Sequence, residues 1–433
     1  MDPISQIKNA ITQDHHRRAS ELDAADPISD FREQFHFPKG VNNEPLIYFC
    51  GNSLGLQPLN AEAAVIKELS DWKNLGVKGH FTGDTPWTTF HELVNEPMSR
   101  IVGAQPEEVV VMNTLTVNLH MMMVSFYRPT SERFKILIEK NAFPSDKYAC
   151  QSQLEFHGYD IGQGLLQIEA REGEDNIRAE DLIELIERKG DEIALILLGN
   201  PNYITGEVFD MPSIVKAGHG KGCMVGFDCA HGAGNIELNL HDSGVDFAVW
   251  CTYKYLNSGP GSLGGVFVHE RHLKDQKLPK FKGWWGQDKF RRFLMEDEFH
   301  PPLSADSWQL SNAPILSFAP MIASMELFSK AGMSRLIEKS HKLTGFLEEL
   351  IHKLNHPAIE ITTPKDPTKR GCQLSIRIKN GDKSIYEAIR ENGVILDWRE
   401  PNVIRAAPTP LYNSFKDVVD FVEILGSVLD DHH

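Results

Sequence analysis

The chain has 433 residues, room for two or three domains at roughly 150 residues each, which excludes a peptide ligand or a disulfide-stapled miniprotein. Apolar residues make up 41% and charged residues 24% of it, the balance of a folded globular protein rather than a disordered or fibrous one. With 60 acidic against 44 basic residues the net charge is −16, a field that repels nucleic-acid backbones and anionic lipid surfaces. A water-soluble enzyme acting on a small molecule is the leading class.

Six cysteines (Cys50, Cys150, Cys223, Cys229, Cys251 and Cys372) are scattered without a CxxC pair. They read as buried apolar fillers in a reducing compartment, not as zinc ligands or a redox dithiol. Asp2, Lys8, Asp14, Arg17, Arg18, Glu21, Asp23 and Asp26 interrupt the first 35 residues, so neither a signal peptide nor an Arg-rich transit segment fits. The longest apolar run, Ile193 to Leu198, falls far short of the roughly 20 residues that span a bilayer. A cytoplasmic protein is expected, with neither nucleic acid nor membrane as partner.

From about residue 60 to 270 short apolar runs alternate with helical patterns, as in parallel strands joined by crossover helices. Val109–Met112 predicts a strand that turns through Asn113-Thr114-Leu115-Thr116 into a helix. Phe134–Glu139 predicts a second strand, running into a loop over Asn141–Asp146. Leu182, Ile183, Leu185 and Ile186 mark a helix over Arg178–Lys189, stopped by Gly190. Ile193–Leu198, Cys223–Asp228 and Phe247–Cys251 are apolar enough for strands buried on both faces, and Gly264–His269 reads as one more. A second, α+β unit comes next: a long helical region (Ile315–Glu349), a strand (Cys372–Ile378), a helix (Ser384–Asn392) and a final helix (Phe415–Leu429). The expected division is a large domain over 60–305 and a small one built from 1–59, with its N-terminal arm, and 306–433.

Asp228 and Lys254 each stand at or just past the carboxyl end of a predicted strand, the edge where open α/β sheets bind ligands. A carboxylate and a lysine so placed suit pyridoxal phosphate, whose aldehyde a lysine amine holds and whose ring nitrogen a carboxylate keeps protonated. The competing reading is a turn-capping aspartate and a solvated lysine. Leu115 and Thr116 open a helix whose N–H groups and hydroxyl can cup a phosphate, or Thr114 and Thr116 simply cap it. Phe143 and Asp146, past another strand, offer a ring to stack on a flat heterocycle and a carboxylate to orient it, or form an ordinary Pro-containing turn. Arg405, flanked by apolar residues, calls for an anionic partner: a substrate carboxylate, or an internal salt bridge with Asp397 or Glu400. Tyr253 can donate a proton, bond a phosphate, or pack.

The strings Tyr48 to Pro58, Phe143 to Asp146, Gly226 to His231 and Trp250 to Asn257 together resemble the kynureninases, from about residue 40 to Leu411-Tyr412-Asn413. That resemblance implies an aspartate-aminotransferase-like fold, with a mainly parallel seven-stranded sheet in the large domain and a smaller α+β domain. It implies a pyridoxal 5'-phosphate-dependent hydrolase that cleaves the Cβ–Cγ bond of kynurenine or 3-hydroxykynurenine, in tryptophan catabolism and NAD biosynthesis. Residue by residue it implies Lys254 as the covalent anchor and proton shuttle, Asp228 on the ring nitrogen, and His231 beside the cofactor. Leu115, Thr116, Tyr253 and Trp284 would hold the phosphate, Trp284 from a partner subunit of a homodimer. Phe143 would stack on the ring with Asp146 nearby, and Arg405 would grip the α-carboxylate. Ser53, His80 and Asn312 would line the aryl end, Asn312 also reaching the cofactor, where polar groups favour a ring hydroxyl. The loop Gly199-Asn200-Pro201-Asn202 departs from the family pattern. A cysteine desulfurase or selenocysteine lyase on the same fold would need a mobile nucleophilic cysteine in the second unit, where only Cys372 stands. A non-catalytic protein of this fold would need to have lost one of these residues.

Overall fold

Seven segments rich in Val, Ile, Leu and Phe form the central sheet of the computed structural model, which describes residues 3–275, 277–379 and 381–432. They are β1 (Val109–Met112), β2 (Lys135–Glu139), β3 (Leu165–Ile168), β4 (Ile193–Gly199), β5 (Met224–Asp228), β6 (Phe247–Cys251) and β7 (Gly264–Val268). Their spatial order is β1-β7-β6-β5-β4-β2-β3. Only β7 runs antiparallel to its neighbours; the remaining pairs are parallel. A largely parallel sheet must be covered on both faces, and every residue of β1, β6 and β7 is buried. Side chains alternate between the two coverings: Ala248 and Trp250 join one apolar cluster with Phe227 and Phe267, whereas Phe247 and Val249 join another with Ile136 and Val266. This is the seven-stranded α/β arrangement expected from the sequence.

Gly226 shows how tightly the sheet is set. It pairs with Phe247 across β5 and β6, and a Cβ on it would come within 2.2 Å of the phenyl ring. The missing side chain lets the ring lie across β5 two residues before Asp228.

Six helices frame the site and the second unit: α1 (Pro3–Ala24), α2 (Leu115–Phe126), α3 (Pro144–Phe156), α4 (Ile315–Ala331), α5 (Met333–Leu354) and α6 (Phe415–His432). Two of them correct the sequence reading. The helical region 315–349 is divided at Gly332, whose φ of +74° ends α4 in a conformation that glycine alone adopts cheaply. The run Asn141–Asp146 is a loop only as far as Phe143, because Pro144 takes the first helical position of α3, where no N–H is needed.

A second sheet, β8 (Ile359–Ile361), β9 (Leu374–Ile378), β10 (Asp397–Arg399) and β11 (Val403–Ala406), is antiparallel in the order β8-β9-β11-β10. Ile376 and Ile404 pack with Leu343 and Leu347 of α5 and with Val418, Phe421 and Leu425 of α6 in a core of their own. The N-terminal helix joins this unit: Arg18 holds Glu349 at 2.7 and 2.9 Å. Asp23 accepts the N–H groups of Phe415 and Lys416 that open α6, a charge well placed against the helix dipole. Asn235, past the end of β5, accepts the N–H of Cys372 at 2.9 Å, tying the second unit to the carboxyl edge of the central sheet.

Candidate active site

A cavity of about 210 Å³ opens at that carboxyl edge. Leu115 and Thr116 reach it from the end of β1, Phe143 and Asp146 from β2, and Gly199 from β4. Asp228 and His231 line it from β5, Tyr253 and Lys254 from β6, and Ser53 closes it from the N-terminal arm. Parallel strands make this convergence, because their carboxyl ends all meet one edge.

The cavity begins where α2 begins. Its 12 residues align enough peptide dipoles for the free N–H groups of the first turn to attract an anion. Thr116 Oγ1 lies 2.7 Å from Ser145 Oγ at the start of α3, so two helix starts bring hydroxyls together. The Phe143 ring stands with its centroid 5.9 Å from Lys254 Nζ, and its edge packs on Tyr203 with centroids 5.2 Å apart.

Asp146 and Asp228 are buried side by side. Burial pushes both carboxyls up, and Asp146 rises further because the charge of Asp228 adds to its desolvation. One proton between them therefore sits on Asp146 and hydrogen-bonds to Asp228, which stays ionised against Lys254 and the N–H of Ala230 at 2.7 Å. Asp146 Oδ1 has no protein partner. Burial, reinforced by the charges of Lys254, Arg405 and Arg399, holds His231 far below the usual imidazole range, so it is neutral. Burial likewise keeps the Tyr253 phenol protonated.

These walls fit pyridoxal phosphate. A phosphate would meet the α2 terminus and two hydroxyls, a flat ring Phe143, a ring nitrogen Asp228 and an aldehyde Lys254. The unpartnered Asp146 Oδ1 awaits a polar group of such a ring.

Other expected residues lie elsewhere. Arg405 is wholly buried behind the wall, its Nη2 2.6 Å from Asp397 Oδ2 and its Nη1 donating to the Tyr203 carbonyl at 2.8 Å; of the two rivals weighed from sequence, Asp397 is its partner. Glu400 instead accepts from the Trp398 indole at 3.0 Å. His80 packs edge-on against Trp87, Trp284 is half exposed with its indole N–H on the Arg292 carbonyl, and Asn312 is exposed. None of the three lines the cavity of its own chain.

Among the lining residues that escaped the sequence reading, three bear ionisable side chains that shape the site. Arg399 and Tyr203 line the cavity, and the Tyr203 ring lies 5.8 and 6.0 Å from the guanidinium carbons of Arg399 and Arg405. Glu139, ending β2, is buried and takes the Gly199 N–H on both oxygens at 3.0 and 3.3 Å; burial pushes its carboxyl up to about 7. A carboxylate closing a strand whose three preceding residues are apolar was its only signal. The unusual loop has a local logic: Asn202 Oδ1 accepts the N–H groups of Ile204 and Thr205, turning the chain so that Tyr203 faces the cavity. Cys372 is fully buried and its thiol is pushed up to about 12 by that burial, unlike the mobile thiolate a desulfurase needs.

Residues 336–425 match the model of the kynureninase C-terminal domain. The chain is 55% identical to a kynureninase of Myxococcus xanthus over 413 residues, 95% of this chain and 97% of the relative. It is 53% identical to a kynureninase of Flavobacterium johnsoniae over 410 residues, 94% and 96% of the two chains. Among solved structures it superposes on a cysteine desulfurase of Thermococcus onnurineus with a TM-score of 0.72 at 17% identity, covering 93% of this chain and 98% of the other. A cysteine desulfurase of Escherichia coli gives 0.73, with the same identity and coverage. At that identity these two speak for the fold alone.

Proposed function

The chain belongs to the kynureninase family, and on that footing we propose how its cavity works. The protein is a pyridoxal-phosphate-dependent hydrolase that cleaves the Cβ–Cγ bond of L-kynurenine or 3-hydroxy-L-kynurenine, giving anthranilate or 3-hydroxyanthranilate and L-alanine. The convergence of Lys254, Asp228, Phe143 and the start of α2 on one cavity carries this reading.

When bound, the cofactor supplies the electron sink for bonds breaking at the substrate's α- and β-carbons. Lys254 takes and returns the α-proton. Asp228 holds the proton of the ring nitrogen, and protonated Asp146 fixes Asp228 in place. Leu115 and Thr116 hold the phosphate, Phe143 packs on the ring and neutral His231 lies beside it. Arg405 takes the α-carboxylate, and Ser53 faces the substrate. Tyr253, protonated at neutral pH, gives its proton to the β-carbon as the hydrated γ-ketone splits away.

The remaining site residues point to a homodimer. Trp284 and Phe81 each pack edge-on against Phe293 with centroids 5.3 Å apart, and all three rings are about half exposed. A two-fold partner covers that patch, bringing Trp284 to the other subunit's phosphate and His80 and Asn312 to its aryl end. The working unit is thus a dimer of chains with a large domain over 60–305 and a small one from both termini. No helix among the described residues is long and apolar enough to cross a membrane. On the proposed reading the enzyme acts in the cytoplasm, in tryptophan catabolism feeding NAD biosynthesis. Borohydride reduction of the cofactor-loaded protein followed by peptide mass mapping tests the site. The pyridoxyl group is expected on Lys254; its attachment to any other lysine overturns the assignment.

A further inference from the structure

Two arginines meet one carboxylate beside the cavity. Asp397 opens β10 directly across from Arg405 on β11. Its oxygens accept hydrogen bonds from Arg405 Nε (3.3 Å), Arg399 Nη2 (3.0 Å) and, in a short contact, the Ser53 hydroxyl, while Arg405 Nη2 and Arg399 Nε stand 2.6 and 2.9 Å away without hydrogen-bond geometry. Asp397 thus accepts three hydrogen bonds, two of them from groups other than Arg405, while Arg405 Nη2 makes no hydrogen bond at all. Asp397 therefore keeps Arg399 and Ser53 if Arg405 turns away, whereas Arg405, with no exposed surface, has Asp397 as its one carboxylate among the described residues. Burial pushes the Asp397 carboxyl up, but Arg405, Ser53 and Arg399 outweigh it and hold the group below its usual range, so it is charged.

The local charge does not balance. Two guanidinium cations face one anion, and His231, whose imidazole their charges help to keep unprotonated, is neutral. A second carboxylate would complete the pairing. Ser53, Arg399 and Tyr203 line the cavity, while Arg405 does not line it but donates to the carbonyl of the lining Tyr203. The groups that can receive Asp397 are thus those nearest a ligand.

We propose that Asp397 is a positioning residue that competes with the substrate's α-carboxylate for Arg405. The incoming carboxylate takes the guanidinium as Asp397 passes wholly to Ser53 and Arg399. Asp397 and the ligand carboxylate are chemically alike, so the exchange keeps Arg405 paired throughout and never leaves a bare buried cation. It also selects ligands that bear a carboxylate, because only an anion can replace Asp397. This rests on the reading that Arg405 takes the α-carboxylate.

The test compares L-alanine with ethylamine, its analogue without the carboxylate, each titrated into the cofactor-loaded protein and followed by the visible absorbance of the cofactor. Freed of its competitor, Asp397→Asn is expected to bind L-alanine at least tenfold more tightly, with ethylamine changed by less than twofold. Ser53→Ala removes one refuge of Asp397, and its Kd for L-alanine is expected to rise several-fold with ethylamine again unmoved. It decides the matter if Asp397→Asn does not fold. Weaker L-alanine binding by folded Asp397→Asn, or an unchanged Kd in Ser53→Ala, overturns the competition. A wild-type protein that holds the cofactor yet responds to neither amine refutes the underlying reading of the site instead.

Discussion

Asp228 and Asp146 are chemically the same residue in the same cavity, yet they should respond very differently to loss of a carboxylate. Asp228 is 6% exposed and ionised, while Asp146 is 5% exposed and carries the proton the pair shares. Replacing Asp228 by Asn removes the anion that faces the cationic ring nitrogen, and breaking a buried ion pair from one side costs about 3–5 kcal/mol. At 1.36 kcal/mol per decade that is roughly a 10²–10⁴-fold loss in kcat/KM. Asp146→Asn exchanges a neutral acid for a neutral amide that still donates to Asp228, a change of about one hydrogen bond, or 0.5–1.5 kcal/mol and at most about tenfold. Steady-state kinetics on kynurenine, with cofactor affinity by equilibrium dialysis, measures both. Equal losses in the two variants, or a greater loss in Asp146→Asn, would refute the assignment of the proton.

At the opposite edge of the central sheet Asp246 is 2% exposed and accepts from His219 (2.9 Å), His272 (2.8 Å), Arg271 (2.6 Å) and the Val225 N–H (2.7 Å). Burial pushes its carboxyl up, but these donors hold it far below the usual range. The stability it contributes is fully present above the unfolded value near pH 4 and is lost as pH falls toward the folded one. Asp246→Asn is expected to lose about 3–5 kcal/mol at pH 7 by denaturant titration, with the gap narrowing below about pH 4; a gap independent of pH counts against the clasp. Gly226→Val drives methyl groups into the Phe247 ring and is expected to cost about 1–3 kcal/mol and to weaken cofactor binding through the displaced Asp228; an unchanged melting temperature argues otherwise. With His80 and Asn312 of a partner subunit at the aryl end, as proposed, kcat/KM for 3-hydroxykynurenine should exceed that for kynurenine, and the reverse order would sink that expectation.

The central sheet was legible because its strands are short and apolar throughout: Val109–Met112 and Phe247–Cys251 coincide with the observed strands to the residue. The chemistry at their ends was legible for the same reason, since parallel strands deliver Asp228 and Lys254 to one edge wherever the chain goes between. The second sheet was less so. Ile359–Ile361 and Asp397–Arg399 are three residues each, too short for alternation to register, and their stability comes from packing on α5 and α6 rather than from propensity. The boundary at Gly332 was hidden inside a continuous apolar stripe. Arg405 shows where sequence stops: a guanidinium among apolar neighbours demands an anion, but only the cross-strand register reveals that Asp397 supplies one. His80, Trp284 and Asn312 mark a different limit, because the roles proposed for them rest on a second copy of the chain, which neither the sequence nor a single chain displays.

The most direct test of the account is product release. Purified protein loaded with pyridoxal phosphate and given L-kynurenine should form anthranilate and L-alanine in equal amounts, followed by anthranilate fluorescence and amino-acid analysis. Lys254→Ala should form neither above background. Failure of the loaded wild-type protein to release anthranilate from kynurenine, or 3-hydroxyanthranilate from its hydroxylated analogue, would contradict carbon–carbon bond hydrolysis at this site.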